Sequence, residues 1–509
     1  MSAAGERRRV LFVSSNGTGL GHLTRSLAIA RRLEPDLEPL FVSLSAAAPV
    51  VEQQGFEVEY IASHATPAAG SDWRWSRRLR RRLRAILAEV DPRVVVFDGA
   101  HPYQGLCEAL SATAAQRVWS RRPMWLPGSN AGALGRTGAF DWVLEPGEVA
   151  AEFDRGATVA RRAEAKLVDP IVLLDDGELL PREQAERELG LEPGRVNVLV
   201  NLGQGEEVRE ASSRCLAALA DRDGVQVAAL SSALAELEDV PEGVVHLRAT
   251  YPMSRYLRAF DAAVSAAGYN AYHELVRFGV PTLFVPMARR TDDQAARARW
   301  AEHDGIGLAA SGPGDERLEE RLAELLDPAT RERLRARLGE RRPANGAAAA
   351  ARWVAELARR EPDGGGGGRG RRRGPLARVN RDTVRELPRM AAAIAYQGLT
   401  RPAARTLVLA LGAEPARLGA ELDALVAAGE RPERILVVTD SLTQLRELRR
   451  RGVGMEHVPA PGSRAAQLSG LGWREFLRAR LSAILAERPR PRRTITLGER
   501  AAAGTLDAS

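Results

Sequence analysis

The stretch "FDAAVSAAGYNAYHELVRFGVPTLFVPMARRTDDQAARARW", Phe260 to Trp300, decides how this chain folds. Its first apolar run, "DAAVSAA", has the length and composition of a buried parallel strand. It stops at Gly268, where a backbone without a Cβ can approach a ligand closely. The pattern that follows predicts a helix from Asn270 to Phe278, stopped by Gly279. The free N–H groups at its start suit a diphosphate, and Glu274, one turn in, is placed to accept hydrogen bonds from ribose hydroxyls. "VPTLFVP" returns as a strand, and the loop after it carries Asp292, Asp293 and Gln294, polar groups suited to sugar hydroxyls.

The same alternation runs through most of the chain, which argues for α/β architecture with parallel sheets. "RVLFVSS", "LEPLFVSLS", "FEVEYIA", "RVVVFDG" and "RVWS" are the expected strands of a first unit, residues 1–165. "RVNVLVNLG", "VQVAALSS", "VVHLRA", "DAAVSAAG" and "VPTLFVPM" are those of a second, residues 166–360. Two successive doubly wound units follow, with a cleft expected between them. "EPDGGGGGRGRRRGP", residues 361–375, reads as a flexible basic linker, because five consecutive glycines hold no regular element. Residues 376–509 read as a smaller α/β module with the strands "RTLVLAL", "RILVVTD" and "GMEHVPA". It contains no complete site; Asp440 and Ser441 end a strand facing a helix start, as a phosphate cradle or, more simply, a cap.

Near the N-terminus, "SSNGTGLGHLTRSLAIARRL", Ser14 to Leu33, invites comparison with a dinucleotide fingerprint. That fingerprint needs G-x-G-x-x-G and an acid at the end of the second strand. Here His22 stands where the third glycine belongs, and the second strand ends in serines. No Gly-Lys-Ser/Thr follows either, which excludes a P-loop. What remains is a glycine-rich turn that delivers an imidazole to a helix start, where the dipole disfavours the cation and keeps a base neutral near pH 7. His22 is therefore either a general base or a capping and packing residue. "RVVVFDG" brings Asp98 to the C-terminal edge of a buried strand, where open α/β sheets place their ligands. Asp98 either orients His22 or caps the next turn.

Bulk properties narrow the class. The 509 residues exceed one core, and two cysteines, Cys107 and Cys215, make neither a disulfide framework nor a metal knuckle. No segment has the length of a signal-peptide core or a membrane span, which predicts a cytoplasmic protein. The net charge of +7 is local: seven arginines fall between Trp73 and Arg84 and four between Gly364 and Arg373, and the remainder is close to balanced. Nucleic acid is not an expected partner. The helix-like "WRWSRRLRRRLRAILAEV" presents Leu79, Leu83, Ile86 and Val90 on one face. Its arginines are either a solvated face or a patch for an anionic membrane surface or phosphorylated acceptor, with Trp73 and Trp75 at the interface. His64 and His101 lie in loops able to reach an acceptor, whereas His246, His303 and His457 read as structural.

Taken in order, the glycine-rich loop with its histidine, "FDG" at a strand end, "SAAGYNAYHEL", "FGVPTLFVP" and "DDQ" resemble the two-domain GT-B glycosyltransferases. The resemblance is especially to the MurG-like and UDP-glycosyltransferase type, families 28 and 1, and covers about residues 9–360. It implies two Rossmann-like domains facing a cleft: an acceptor-side N-terminal one and a donor-binding one for a nucleoside-diphosphate sugar, UDP-linked by expectation. It implies an inverting transfer to a hydroxyl acceptor, a lipid or cell-envelope glycan, with His22 as base and Asp98 as its orienting partner. Gly19, Gly21 and Thr24 belong to the acceptor-side loop. Gly203 and Gln204 match the loop that contacts the donor diphosphate, and Arg248, Tyr251 and Met253 the base pocket. Gly268, Tyr269 and Asn270 match the phosphate turn, Glu274 the ribose ligand, and Asp293 and Gln294 the sugar ligands. No cofactor or metal is implied; "DRD", Asp221 to Asp223, only formally matches a metal-binding Asp-x-Asp. "GTGLGH" departs from "GGTGGH" and "AAGYNA" from "HCGWNS", so donor and acceptor identity do not transfer. The location implied is cytoplasmic, peripheral at the inner face of the membrane. Two other functions fit the same motifs, a non-catalytic nucleotide-sugar sensor and a sugar-nucleotide 2-epimerase.

Overall fold

The computed structural model describes residues 7–15, 20–203, 206–220, 222–231, 241–248, 250–360 and 404–502. Three parallel sheets organise them. The first contains β1 (Arg8–Ser14), β2 (Leu37–Ser43), β3 (Val58–Tyr60), β4 (Val94–Asp98), β5 (Gln116–Ser120), β6 (Trp142–Pro146) and β7 (Ala165–Val168), in the order β3-β2-β1-β4-β5-β6-β7. The second contains β8 (Val196–Asn201), β9 (Val225–Leu230), β10 (Val245–Leu247), β11 (Ala262–Ser265), β12 (Thr282–Phe284) and β13 (Leu308–Ala309), in the order β10-β9-β8-β11-β12-β13. The third, β14 (Thr406–Ala410), β15 (Ile435–Thr439), β16 (Gly454–His457) and β17 (Arg493–Leu497), runs β16-β15-β14-β17. Each sheet repeats the doubly wound order in which the first strand lies between the second and the fourth. Two doubly wound α/β domains and a smaller α/β module follow from these topologies.

The strands are apolar on both faces because helices cover both. Val10, Phe12, Val94 and Val96 pack with Leu23 and Leu27, whereas Leu11, Val13, Val95 and Phe97 pack on the other side with Leu79, Leu83 and Ile86. Each such side chain contributes about 1.5–3 kcal/mol by leaving water, so both faces of these strands hold them in the core. β6, β7, β13 and β17 extend the sheets beyond the strands expected from the sequence.

The domain limits expected from the sequence need correction. The 165/166 division cuts through β7, whose Ala165 to Val168 pair with Val143 to Pro146 of β6. The Ala347–Arg359 helix, assigned by position to the second domain, packs with its Ala350, Val354 and Leu357 in the same core as Val10 and Leu27 of the first. The chain therefore crosses between the domains twice, and the crossings touch: the Gly346 N–H donates to Pro170 O at 2.9 Å. The 361–375 linker and residues 376–403 lie outside the described residues.

The basic helix is also placed differently. Along Asp72–Val90 the third sheet's module docks by its edge strand β16 and its Trp473–Leu485 helix, next to the edge strand β3. Arg78 and Arg82 are buried there, and so is Trp75, whose Nε1 donates to Ala62 O at 2.8 Å. The arginine row is thus split: Trp73, Arg74, Arg81 and Arg84 remain exposed, and the rest serves docking or half-buried ion pairs.

Candidate active site

β1 and β4 are neighbours although their connections leave in opposite directions, so the loop after β1 and the end of β4 meet at the switch point of the sheet. Ser14 stands beside Asp98 in register, and the Ser15 N–H donates to Asp98 O at 3.0 Å. The Gly21–Ala30 helix begins above this point and brings His22 and Arg25 onto one face, three residues apart. Asp98, fully buried, accepts from His22 Nδ1 at 2.6 Å, from Arg25 Nε at 3.1 Å and Nη2 at 2.5 Å, and from Ser120 Oγ at 2.8 Å. Because a carboxylate only accepts, the His22 proton sits on Nδ1 and leaves Nε2 as the ring's open acceptor.

Electrostatics agree with this arrangement. Burial lowers the His22 pKa below its usual 6.5, against the pull of Asp98, and Arg25 and Arg122 lower it further. Burial alone would raise the Asp98 carboxyl, but Arg25 and His22 hold it down at about 2, from 3.8. A folded pKa below the unfolded one stabilises the fold above the unfolded value, and that contribution is lost as pH falls through the folded value. The stability difference between wild type and Asp98→Asn is therefore expected to be full at pH 6 and to shrink between about pH 4 and about pH 2, measured by urea unfolding across that window.

The second domain meets this cluster from across the cleft. Gly268 caps the Tyr269–Arg277 helix, one residue earlier than the spacing predicted. Asn270 Nδ2 donates to Gly21 O at 3.4 Å, Arg25 Nη1 donates to Asn270 Oδ1 at 3.4 Å, and the hydroxyls of Thr24 and Tyr251 lie 3.1 Å apart. Tyr269 donates from its hydroxyl to Gly147 O at 2.8 Å and accepts from the Ile171 N–H at 3.2 Å. Glu274 is enclosed one turn further on; burial pushes its carboxyl up to about 7, offset in part by the Ser254 hydroxyl and the Leu173 backbone N–H.

Other residues singled out in the sequence are engaged elsewhere. Asp293 caps the Gln294–His303 helix, its Oδ1 accepting from the Ala296 N–H at 2.9 Å. Gln294 is buried and accepts from the Met287 N–H at 3.0 Å. Arg248 is exposed and donates from Nε to His246 Nδ1 at 3.2 Å. Met253 begins a 3₁₀ turn, Met253–Ala259, against the core. Gly203 turns with φ +92°, a conformation that L side chains rarely adopt, beside the Arg289 guanidinium. Gly19, Gln204 and Asp221 lie outside the described residues. Of the histidines, His64 packs on Trp75 and Tyr103, His101 contacts Asn130 and Arg136, and His457 accepts from the Tyr60 N–H at 3.4 Å.

Sequence reading missed the residues that connect the two halves. Arg122 donates to Asp292 Oδ1 at 2.5 Å, and Arg297, fully buried, bonds both Asp292 Oδ1 at 2.7 Å and Glu148 Oε2 at 2.8 Å. Glu148 also faces His273 Nε2 at 3.1 Å. Arg25 and Ser120 belong with Asp98 in the same way. The only sequence signal for Arg25 was its i+3 spacing from His22.

Comparison with known proteins bears on the second domain first. Residues 230–354 match the glycosyltransferase family 28 C-terminal domain. Over 136 residues the chain is 32% identical to the UDP-N-acetylglucosamine–N-acetylmuramyl-(pentapeptide) pyrophosphoryl-undecaprenol N-acetylglucosamine transferase of Aquifex aeolicus (strain VF5), covering 25% of this chain and 39% of that relative. The match thus spans well under half of the relative's length. Similar solved structures include the glycosyltransferase SnogD from Streptomyces nogalater, 18% identical with a TM-score of 0.47, and Acinetobacter baumannii MurG, 15% identical with a TM-score of 0.46. Each likeness covers 69% of this chain and 99% of the other.

Proposed function

We propose that this chain, whose residues 230–354 match the glycosyltransferase family 28 C-terminal domain, moves a sugar from a nucleoside-diphosphate sugar, UDP-linked, to a hydroxyl acceptor with inversion and without a metal. The observation that carries the reading is the His22 ring, held by Asp98 at 2.6 Å with Nε2 open, opposite the start of the Tyr269–Arg277 helix. An acceptor oxygen attacks the anomeric carbon while the nucleoside diphosphate leaves from the opposite face. His22 Nε2 takes the acceptor proton, and Asp98 stabilises the imidazolium. Charge growing on the departing diphosphate is met by the Gly268–Asn270 backbone, and the Gly203 turn beside the Arg289 guanidinium supports the same role. Glu274 is the ribose ligand of this reading, and Tyr251 and Met253 flank the base. Asp293 and Gln294 offer the sugar only what their helix start leaves exposed, so their part is chiefly to shape that wall. The acceptor is a lipid-linked or envelope glycan; Trp73 with Arg74, Arg81 and Arg84 supports contact with an anionic membrane surface at its inner, cytoplasmic face.

A thermal-shift panel of UDP, GDP and TDP sugars on wild type and Glu274→Ala tests the donor site. One nucleotide class is expected to stabilise wild type by several degrees, and the shift is expected to vanish in the variant. If no nucleotide stabilises wild type, the assignment fails. Sugar isomerisation without acceptor would replace transfer by epimerisation, and binding without turnover would leave a sensor.

A further inference from the structure

We propose that Arg25 is a positioning residue through which closure of the two domains reaches the proton of His22; the inference rests on the transfer reading above. Arg25 is 2% exposed, deep for a guanidinium, and its donors are divided between the two domains. Nε and Nη2 hold both oxygens of Asp98 on the acceptor side. Nη1 reaches Asn270 Oδ1 on the donor side, and the guanidinium carbon lies 5.1 Å from the centre of the Tyr269 ring. Asn270 and Tyr269 open the helix proposed to bind the leaving group. The residue that orients the base's partner is therefore packed against the residues that would hold the donor.

The consequence for His22 follows from the charges around it. Asp98 on β4 favours the imidazolium, whereas Arg25 on its own helix and Arg122 after β5 oppose it. Arg122 is itself paired with Asp292, so its charge is partly spent. Arg25 Nη2 lies 2.9 Å from Nδ1, so a fixed positive charge stands against the ring and opposes a second proton on Nε2. By neutralising Asp98 the same guanidinium weakens the one group that would hold that proton. Closed, the site keeps a neutral base; with Asn270 and Tyr269 withdrawn, water screens Arg25 and the ring becomes easier to protonate.

The test is a histidine titration by NMR on the full chain with ¹³C-labelled imidazole, the His22 signal assigned by its loss in His22→Gln. It needs no substrate, so it can fail independently of the transferase reading. In wild type His22 is expected to titrate below 6.5. Arg25→Gln is expected to raise its midpoint by about one pH unit, tenfold in proton affinity, and Arg25→Lys, which keeps the charge, to restore most of the shift. Asn270→Asp leaves Asp98 and its partners in place but sets a carboxylate against Nη1; it is expected to move the midpoint upward too, and it serves if Arg25→Gln does not fold. An unchanged midpoint in Arg25→Gln, or an equal rise in Arg25→Lys, overturns the role of the charge. An unchanged midpoint in Asn270→Asp overturns the link across the cleft.

Discussion

Replacing His22 by alanine is expected to lower kcat for sugar transfer by about 10²–10⁴-fold, the range a general base supplies, while nucleotide binding stays as in wild type. The ring touches Asp98 and Arg25 of its own domain, whereas the proposed donor ligands Gly203, Gly268 and Glu274 belong to the other, so chemistry and donor affinity separate. Steady-state rates with saturating donor, alongside calorimetric titration of the nucleotide, make that separation visible. A variant that turns over like wild type would remove His22 from the mechanism. A variant that loses nucleotide binding would make the histidine an organiser of the cleft instead. The acid limb of the wild-type profile should lie below the usual histidine value, because burial and two arginines keep the ring neutral to lower pH.

The second large effect concerns the docked module. Arg82 is 2% exposed and donates to Glu59 Oε1 at 2.7 Å and Glu456 Oε2 at 2.6 Å, Arg488 takes the other Glu456 oxygen at 2.7 Å, and Arg480 bonds Glu59 at 3.0 Å and Glu89 at 2.6 Å. Glu59 lies on β3 and Glu456 on β16, so the two edge strands face each other through shared guanidinium groups. Glu456→Ala leaves Arg82 and Arg488 without their common acceptor in a buried site, and is expected to cost about 3–5 kcal/mol in guanidinium-chloride unfolding. Protease sensitivity within residues 404–502 should rise in parallel. A paired change of Arg488 and Glu456 to methionine and leucine should cost less than Glu456→Ala, because Arg82 keeps Glu59 and Arg480 keeps Glu89, so no uncompensated charge remains. If Glu456→Ala unfolds like wild type, the ion pairs are not what holds the module.

How much of this was legible in the sequence depends on what kind of signal each residue gives. Strands at the middle of a sheet announce themselves, since "VLFV" and "VVVF" are apolar on both faces and sit between turn residues. The last strands of each sheet do not: β17 is "RTITL", mostly exposed, and β13 is two residues long. His22 and Asp98 were legible because strand ends at the switch point are where ligands bind, a rule that needs no partner to be known. Arg25, Arg82 and Arg297 were not, because an arginine on a helix reads as solvated until its carboxylate is located, and the partners stand 73, 374 and 149 residues away. Asp293 shows the opposite limit. A carboxylate after a strand and before a helix is equally good as a ligand or as a cap, and here its Oδ1 caps.

The double crossing between the domains has a mechanical meaning. A single connecting strand would let one domain swivel and tilt about a point, whereas two crossings stitched side by side, at Pro170 and Gly346, act like a door on one pin. A Cβ at Gly346 would lie 2.0 Å from Asp169 O, so this pin tolerates no added atom. The imidazole and the donor helix would then approach each other along a single arc, and the donor would meet the acceptor held at that base at the same angle on every turnover.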